Sequence, residues 1–350
     1  MHMADALLSP AVGTTMWAGT LGAVAYCSRK GNERIDEKTI PVMGVTGAFL
    51  FAAQMINFTI PGTGSSGHLG GGMLLAVLLG PHAAFLVMAS VLTVQALFFA
   101  DGGLFALGCN IWNLGVYPCL IAYPLIYRPL TRNDDSPGRI TIASIVSVVA
   151  GLQLGAVSVV LQTVLSGRIE LPFDTFLLMM LPVHLVIGLV EGFVTAGVIG
   201  YVKAARPEIL ESVTRSIPLS AGTSVKRIAI VFLGVAIIAG GVLSWFASSH
   251  PDGLEWSIGK VLGEPELPKP GDGIASVLES VQERTAILPG YGFRTPEAAP
   301  EESQRERSEQ TWPAVEPGRS ASGILGSFLV LAVVLCVGFV IKALRQRQEG

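Results

Sequence analysis

The chain has 350 residues, 51% of them hydrophobic and only 14% charged, with mean hydropathy +0.58 and a formal net charge of −3. This composition excludes a basic nucleic-acid-binding protein and a pair of ordinary soluble domains, and it points to a polytopic membrane protein. The four cysteines, Cys27, Cys109, Cys119 and Cys336, sit in or beside apolar runs without paired spacing, which argues against a disulfide framework or a thiolate metal site.

The chain opens Met1-His2, a dipeptide with chemistry of its own. A free terminal amine, the amide nitrogen of His2 and an imidazole nitrogen of the same residue can close one five-membered and one six-membered chelate ring on a single metal ion. A fourth donor has to come from elsewhere. Four nitrogens, one of them a deprotonated amide, suit the square-planar preference of Ni²⁺ or Cu²⁺, whereas zinc favours tetrahedral sites and calcium and magnesium take oxygen. Nickel, or its neighbour cobalt, is the first expectation. Residues 11–27 then form an apolar run whose first cations, Arg29 and Lys30, follow it, the reverse of a secretory signal. An uncleaved first helix with its amino terminus outside is expected.

Residues 39–58 form a second span, and the loop 59–70, which includes Ser66, Gly67 and His68, returns to the outer side. His68 therefore shares a face with Met1 and is the leading fourth donor, on a glycine-rich loop that allows close backbone approach. The second span carries Gly44, Ala48 and Ala52, a ridge of the kind along which helices associate closely in lipid. Thr15, Gly19 and Ala23 form a competing ridge on the first span, and packing within the bundle is the plain reading of both. Residues 71–100 are broken at Gly80-Pro81. The piece before the break is thin for a bilayer of ~30 Å, which needs about 20 residues. Counted as a crossing, it puts His82 inside, far from His68.

Further spans at 103–127, 139–166 and 175–203 complete seven crossings. At the outer end of the fourth, Asp101, with Gln95 before it and Asn110 after it, either orients a ligand imidazole or caps the next helix. Asp5 either holds down the N-terminal segment or is itself a cap. His184 and Glu191 lie two turns apart on one face of the seventh span. They read either as a coupling pair or as a packing and hydrogen-bonding pair between helices.

A basic linker, 206–225, precedes a span at 228–247, a hydrophilic stretch at 248–321 and a last span at 323–342. Most of the 23 Lys and Arg residues fall in segments this count places inside. The expected fold is an all-α polytopic membrane helical bundle in the cell membrane, with seven N-terminal spans plus two C-terminal spans separated by a long extracytoplasmic loop. The amino terminus lies outside and the carboxy terminus in the cytoplasm. The domains divide as 1–205, 206–225 and 226–350. The loop 248–321 is net acidic and rich in Pro, Glu and Gly, so parts of it are expected to lack fixed structure. Only Ile274, Val277, Leu278 and Val281 show helical spacing there. His250, at the head of a Pro-Asp-Gly-Leu-Glu motif, reads as part of a folded turn.

The opening MHMADALLSP, the block SSGHLGGGMLLAVLLGPHAAFLVMASVLTVQALFFADGGLFALGCNIWNLGV and the stretch HLVIGLVEGFVTAGV resemble the substrate-specific component (CbiM/NikM family) of energy-coupling factor (ECF) transporters for nickel and cobalt. The resemblance spans roughly residues 1–205. HPDGLEWSIGKV at 250–261, with its flanking spans, resembles a NikN-like PDGLE accessory subunit fused to the first. The resemblance implies uptake of Ni²⁺ or Co²⁺ as transported substrate by a lipid-embedded protein without an organic cofactor. Energy would come from separate ABC-type ATPase subunits through an ECF transmembrane coupling subunit. It also implies a metal held by the Met1 amine, the His2 amide and imidazole, and the His68 imidazole. Read from the residues themselves, Ser66, Gln95, Asp101, Asn110 and Asp5 are the candidates to stand behind these ligands, helix capping being the alternative for Asp101 and Asp5. In the family's wider architecture a small-residue stripe docks the coupling subunit, which makes Gly44, Ala48 and Ala52 the expected contact. The chain has no Gly-rich Lys-Ser/Thr phosphate loop, so energy must come from partners. A cobalt-specific component, or a metal channel or secondary carrier working without an ATPase, is the alternative. An intramembrane metalloprotease is disfavoured because no His-Glu-x-x-His pairing occurs. The C-terminal module is expected to serve uptake but not metal holding.

Overall fold

The computed structural model describes residues 2–31, 35, 37–215, 225–263, 273–294 and 313–349. Helix dominates because, in a bilayer, a spanning apolar run must satisfy its backbone groups within itself. A single 3-10 turn, Asp5–Leu7, leads into α1 (Pro10–Gly31) and α2 (Thr39–Gln54). A small antiparallel hairpin follows, β1 (Phe58–Ile60) with β2 (Ser65–Gly67), pairing Phe58 with Gly67. Then come α3 (Gly72–Leu79), α4 (Pro81–Phe99) and α5 (Leu107–Ile111). The last of these runs into a wide π-helical stretch, Trp112–Tyr127, and on into α6 (Arg128–Thr131). Pro118 and Pro124 inside that stretch remove two backbone donors, which fits a departure from α-helical bonding. The remainder is α7 (Pro137–Ser166), α8 (Phe173–Ala205), α9 (Pro207–Arg215), α10 (Val225–Gly241), α11 (Gly253–Leu262), α12 (Ile274–Thr285) and α13 (Pro317–Glu349).

Among the described residues, five helical segments are long and apolar enough to cross a membrane: α4, Leu107–Thr131, α7, α8 and Pro317–Arg347 of α13. This is fewer than the seven plus two read from the sequence. The 16 residues of α2 are nearly all buried by other helices, so that helix does not face lipid along its length. α3 has eight residues, all buried. Its rise of about 12 Å is far short of a bilayer. Gly80 ends it at φ 80° and lies near Val213 of α9, while the backbone of Gly31, at the end of α1, lies near His82. The segment thus runs from a submerged loop at His68 to the end of the bundle where α1 terminates.

The small-residue ridge on α2, the expected contact for a coupling subunit, is filled in this structure by the chain's own C-terminal helices. A Cβ at Gly44 would lie 2.7 Å from Leu331, the Ser327 hydroxyl donates to Ala48 O at 3.3 Å, and Ala52 packs with Ala236 and Ala239 of α10. Small residues permit close approach, but their spacing does not name the helix that approaches.

In the loop between α10 and α13, α12 matches the helical spacing of Ile274, Val277, Leu278 and Val281, and the segment is anchored to α4. α12 lies against α4 through the polar Gln282, whose amide donates to Ala96 O (2.9 Å) and Gly102 O (2.7 Å), while Ile274 and Val277 face outward. The Ile287 and Leu288 amides both donate to Phe98 O. These donors satisfy carbonyls left open where α4 ends at Ala100, which adopts φ 53°. Residues 264–272 and 295–312 of the loop lie outside the described residues.

Candidate metal centre

The N-terminal arm is irregular, so its backbone groups need partners from elsewhere in the chain. Asn110 supplies two: its Oδ1 accepts from Met3 N at 2.7 Å, and its Nδ2 donates to Met3 O at 3.3 Å. Gly103 N also donates to Met3 O at 3.0 Å, and the Asp5 carboxylate accepts from Ala106 N at 2.8 Å. Pinned in this way, the arm tucks the His2 side chain inward until it is 7% exposed. Its ring stacks on that of His68, with centroids 5.2 Å apart and planes 18° from parallel. Met1, expected to bring the amine, lies outside the described residues.

The His68 Nδ1 is 3.0 Å from Leu69 O, which places its proton there and leaves the lone pair on Nε2. Nδ1 of His2 lies 3.4 Å from Asp101 Oδ1, and the Tyr291 hydroxyl donates to the other oxygen of that carboxylate. The six-membered chelate ring would use the same Nδ1, so Asp101 stands on the edge of the ring that a cation would approach. Two buried polar atoms here, His2 Nε2 and Gln95 Oε1, have no hydrogen-bond partner. Burial lowers the pKa of His2 and pushes that of His68 down to about 4, so both imidazoles are neutral at pH 7, as metal ligation requires.

Stability should therefore depend on pH in a definite direction. The unfolded chain takes up protons on these histidines near 6.5, whereas the folded His68 does so only near 4. The metal-free protein loses stability as pH falls through that window. Thermal unfolding is expected at a lower temperature at about pH 5 than at about pH 7, with a smaller difference in His68→Gln. An identical pH dependence in that variant would contradict the buried, neutral imidazole.

The loop that carries His68 is held from several sides. Gly67 packs so tightly on Ile187 that a Cβ there would come within 2.4 Å of it. Gly70 N and Gly71 N donate to the two oxygens of Glu191 at 2.6 and 2.8 Å, and Gly70 O accepts from Gln54 Nε2 at 2.9 Å. Gln95 in turn donates to Gln54 Oε1 at 3.0 Å. Gly71 adopts φ +79°, and a Cβ there would sit 2.0 Å from Leu50. Gly71→Ala should thus cost about 1–3 kcal/mol in backbone strain before the clash is added. A clear drop in unfolding temperature together with weakened metal binding is expected, measured by thermal denaturation and titration.

Of the residues expected behind the ligands, Asp101 lies beside the His2 imidazole and supplies the charge that most favours its protonated form. Asn110 and Asp5 instead fasten the arm, and Gln95 lies beside His2 as well as bonding Gln54. Ser66 seats the C-terminal module: its amide donates to Pro251 O at 2.7 Å, its hydroxyl to His250 O at 2.7 Å, and a backbone bridge joins it to Asp252. The Pro-Asp-Gly-Leu-Glu motif is thus a helix start laid over the metal loop. Asp252 caps α11, accepting from Leu254 N and Glu255 N at 2.8 Å each in a capping box with Glu255. It lines one cavity with His68 and His184, and another with His2 and Asp101. Asp252 and Tyr291, both from the module that was expected to serve uptake but not metal holding, therefore stand beside the two imidazoles. His82 is not brought there; its ring meets Tyr26 at 5.6 Å. Neither the grip of Glu191 on the loop amides nor the capping role of Asp252 was read from the sequence. The available signals were an ionisable residue inside a span and an Asp-x-x-Glu cap.

The family profile described as cobalt uptake substrate-specific transmembrane region matches residues 2–209, and the one described as PDGLE domain matches residues 226–343. A putative metal transport protein of Haloquadratum walsbyi is 36% identical over 210 residues, covering 60% of this chain and 93% of its own. A putative fused nickel transport protein NikMN of Archaeoglobus fulgidus is 36% identical over 211 residues, covering 60% of this chain and 68% of its own. The crystal structure of a transition metal transporter aligns with a TM-score of 0.53 at 28% identity, covering 59% of this chain and 95% of that one.

Proposed function

The chain belongs to the family described as the cobalt uptake substrate-specific transmembrane region, and on that premise we propose that it captures nickel or cobalt as the substrate-specific component of an ATP-driven ECF importer. Residues 1–205 hold the metal, 206–225 link, and 226–350 form the accessory module. The protein sits in the cell membrane with its amino terminus outside and works with a transmembrane coupling subunit and ABC-type ATPase subunits. The observation that carries this reading is the stacked, buried pair His2 and His68.

The geometry lends each nearby group a task. The two imidazoles offer neutral nitrogen, and the Met1 amine and the His2 amide complete four donors. Asp101 offsets part of the cation's charge from beside His2. Nickel is preferred over cobalt because a planar set containing a deprotonated amide suits it. The fused Archaeoglobus relative, which is named for nickel, supports the same choice.

Radioactive nickel uptake into vesicles tests the reading. The chain reconstituted with coupling and ATPase subunits is expected to accumulate nickel only when ATP is supplied, and the chain alone to accumulate none. Equal uptake without those partners would make it a channel or carrier.

A further inference from the structure

We propose that Glu191 is a positioning residue for the metal ligand His68, acting through a single peptide plane of the glycine-rich loop. This rests on the reading of His68 as a ligand. Glu191 lies within α8, one of the segments able to span the membrane, and is 2% exposed. An ionisable group is costly in such a place unless it is matched by partners and a task.

Its partners are the amides of Gly70 and Gly71, one to each carboxylate oxygen. Consecutive N–H groups leading into a left-handed residue form a concavity that accepts an anion. Gly71 at φ +79° provides that turn. Glu191 fills the concavity with a carboxylate from another helix.

The N–H of Gly70 belongs to the same planar peptide unit as the carbonyl of Leu69. That carbonyl is the partner of His68 Nδ1 at 3.0 Å. Glu191 thereby fixes the plane from one edge, and the plane fixes the imidazole from the other. The ring then presents Nε2 in a set direction with its lone pair free. Gln54 holds the next carbonyl, Gly70 O, from the α2 side, so the loop cannot swing away from Glu191. Space is tight as well: a Cβ at Gly70 would come within 3.2 Å of the carboxylate.

Glu191→Gln keeps the size but turns one acceptor into a donor facing an N–H. Nickel titration of the purified full chain is expected to give a dissociation constant raised about tenfold or more, as for other groups that orient metal-ligating histidines. In the His68→Ala background the same change should matter by less than about twofold, because the group it positions is gone. Thermal unfolding, followed alongside, reports any general loosening. Glu191→Asp, which keeps both acceptors but retracts them, is expected to fall between wild type and Glu191→Gln, and it serves if the glutamine variant does not fold. Nickel-saturated Glu191→Gln should also lose one imidazole from its X-ray absorption signature. Unchanged affinity, equal losses in both backgrounds, or an intact two-imidazole signature would each overturn the proposal. Wild-type binding that is insensitive to His68→Ala would overturn the ligand reading, and the role of Glu191 with it.

Discussion

Acetylating the amine of Met1, or extending the chain ahead of it by several residues, is expected to raise the nickel dissociation constant by about a hundredfold or more, roughly 3 kcal/mol. The fused rings lose their terminal donor, and what remains is the imidazole and amide of His2 with the His68 imidazole stacked beside them. The extension has to be longer than one residue. A histidine moved to the third position would build a new chelate from the amine, two amides and its own imidazole, and would mask the loss. The fold should tolerate the change, because the arm is anchored from Met3 onward by Asn110, Gly103 and Ala106. Calorimetric titration beside thermal unfolding separates the two effects. Tight one-to-one nickel binding by the acetylated protein would remove the amine from the site.

His68→Ala is expected to weaken nickel by about a hundredfold, whereas His82→Ala should stay within about twofold of wild type. The contrast comes from placement. His68 stacks on His2 inside the bundle, while His82 meets Tyr26 near the far end of α1. The eight-residue α3 lies between them, and the chain makes that passage in so few residues because the His68 loop is already submerged. Equal losses from the two substitutions would mean that the short helix does not carry the chain between ends.

The pairing of His2 with His68 was legible in the sequence. An amino-terminal chelate has unusual chemistry, and charge placement put the Gly-rich loop on the same face. Asp101 was legible as a carboxylate following a span, with orienting an imidazole and capping the next helix both open. The role of Glu191 was not, because a carboxylate that bonds backbone amides leaves no pattern in the residues it grips. The ridge Gly44, Ala48 and Ala52 announced a close helix contact but not its partner, which proves to be α13 and α10 of the same chain. Within the loop 248–321 the spacing of Ile274, Val277, Leu278 and Val281 marked α12, but not what holds it: Gln282 and the Ile287 and Leu288 amides, which meet open carbonyls at the end of α4.

The central claim is that nickel is held by two imidazoles together with the amine and amide of the first two residues. X-ray absorption at the nickel edge of the loaded full-length protein tests it most directly. The account predicts a planar environment of four nitrogens with scattering from two imidazole rings, reduced to one ring in His68→Ala. A six-coordinate, oxygen-rich environment, or a two-ring signature that survives His68→Ala, would contradict it.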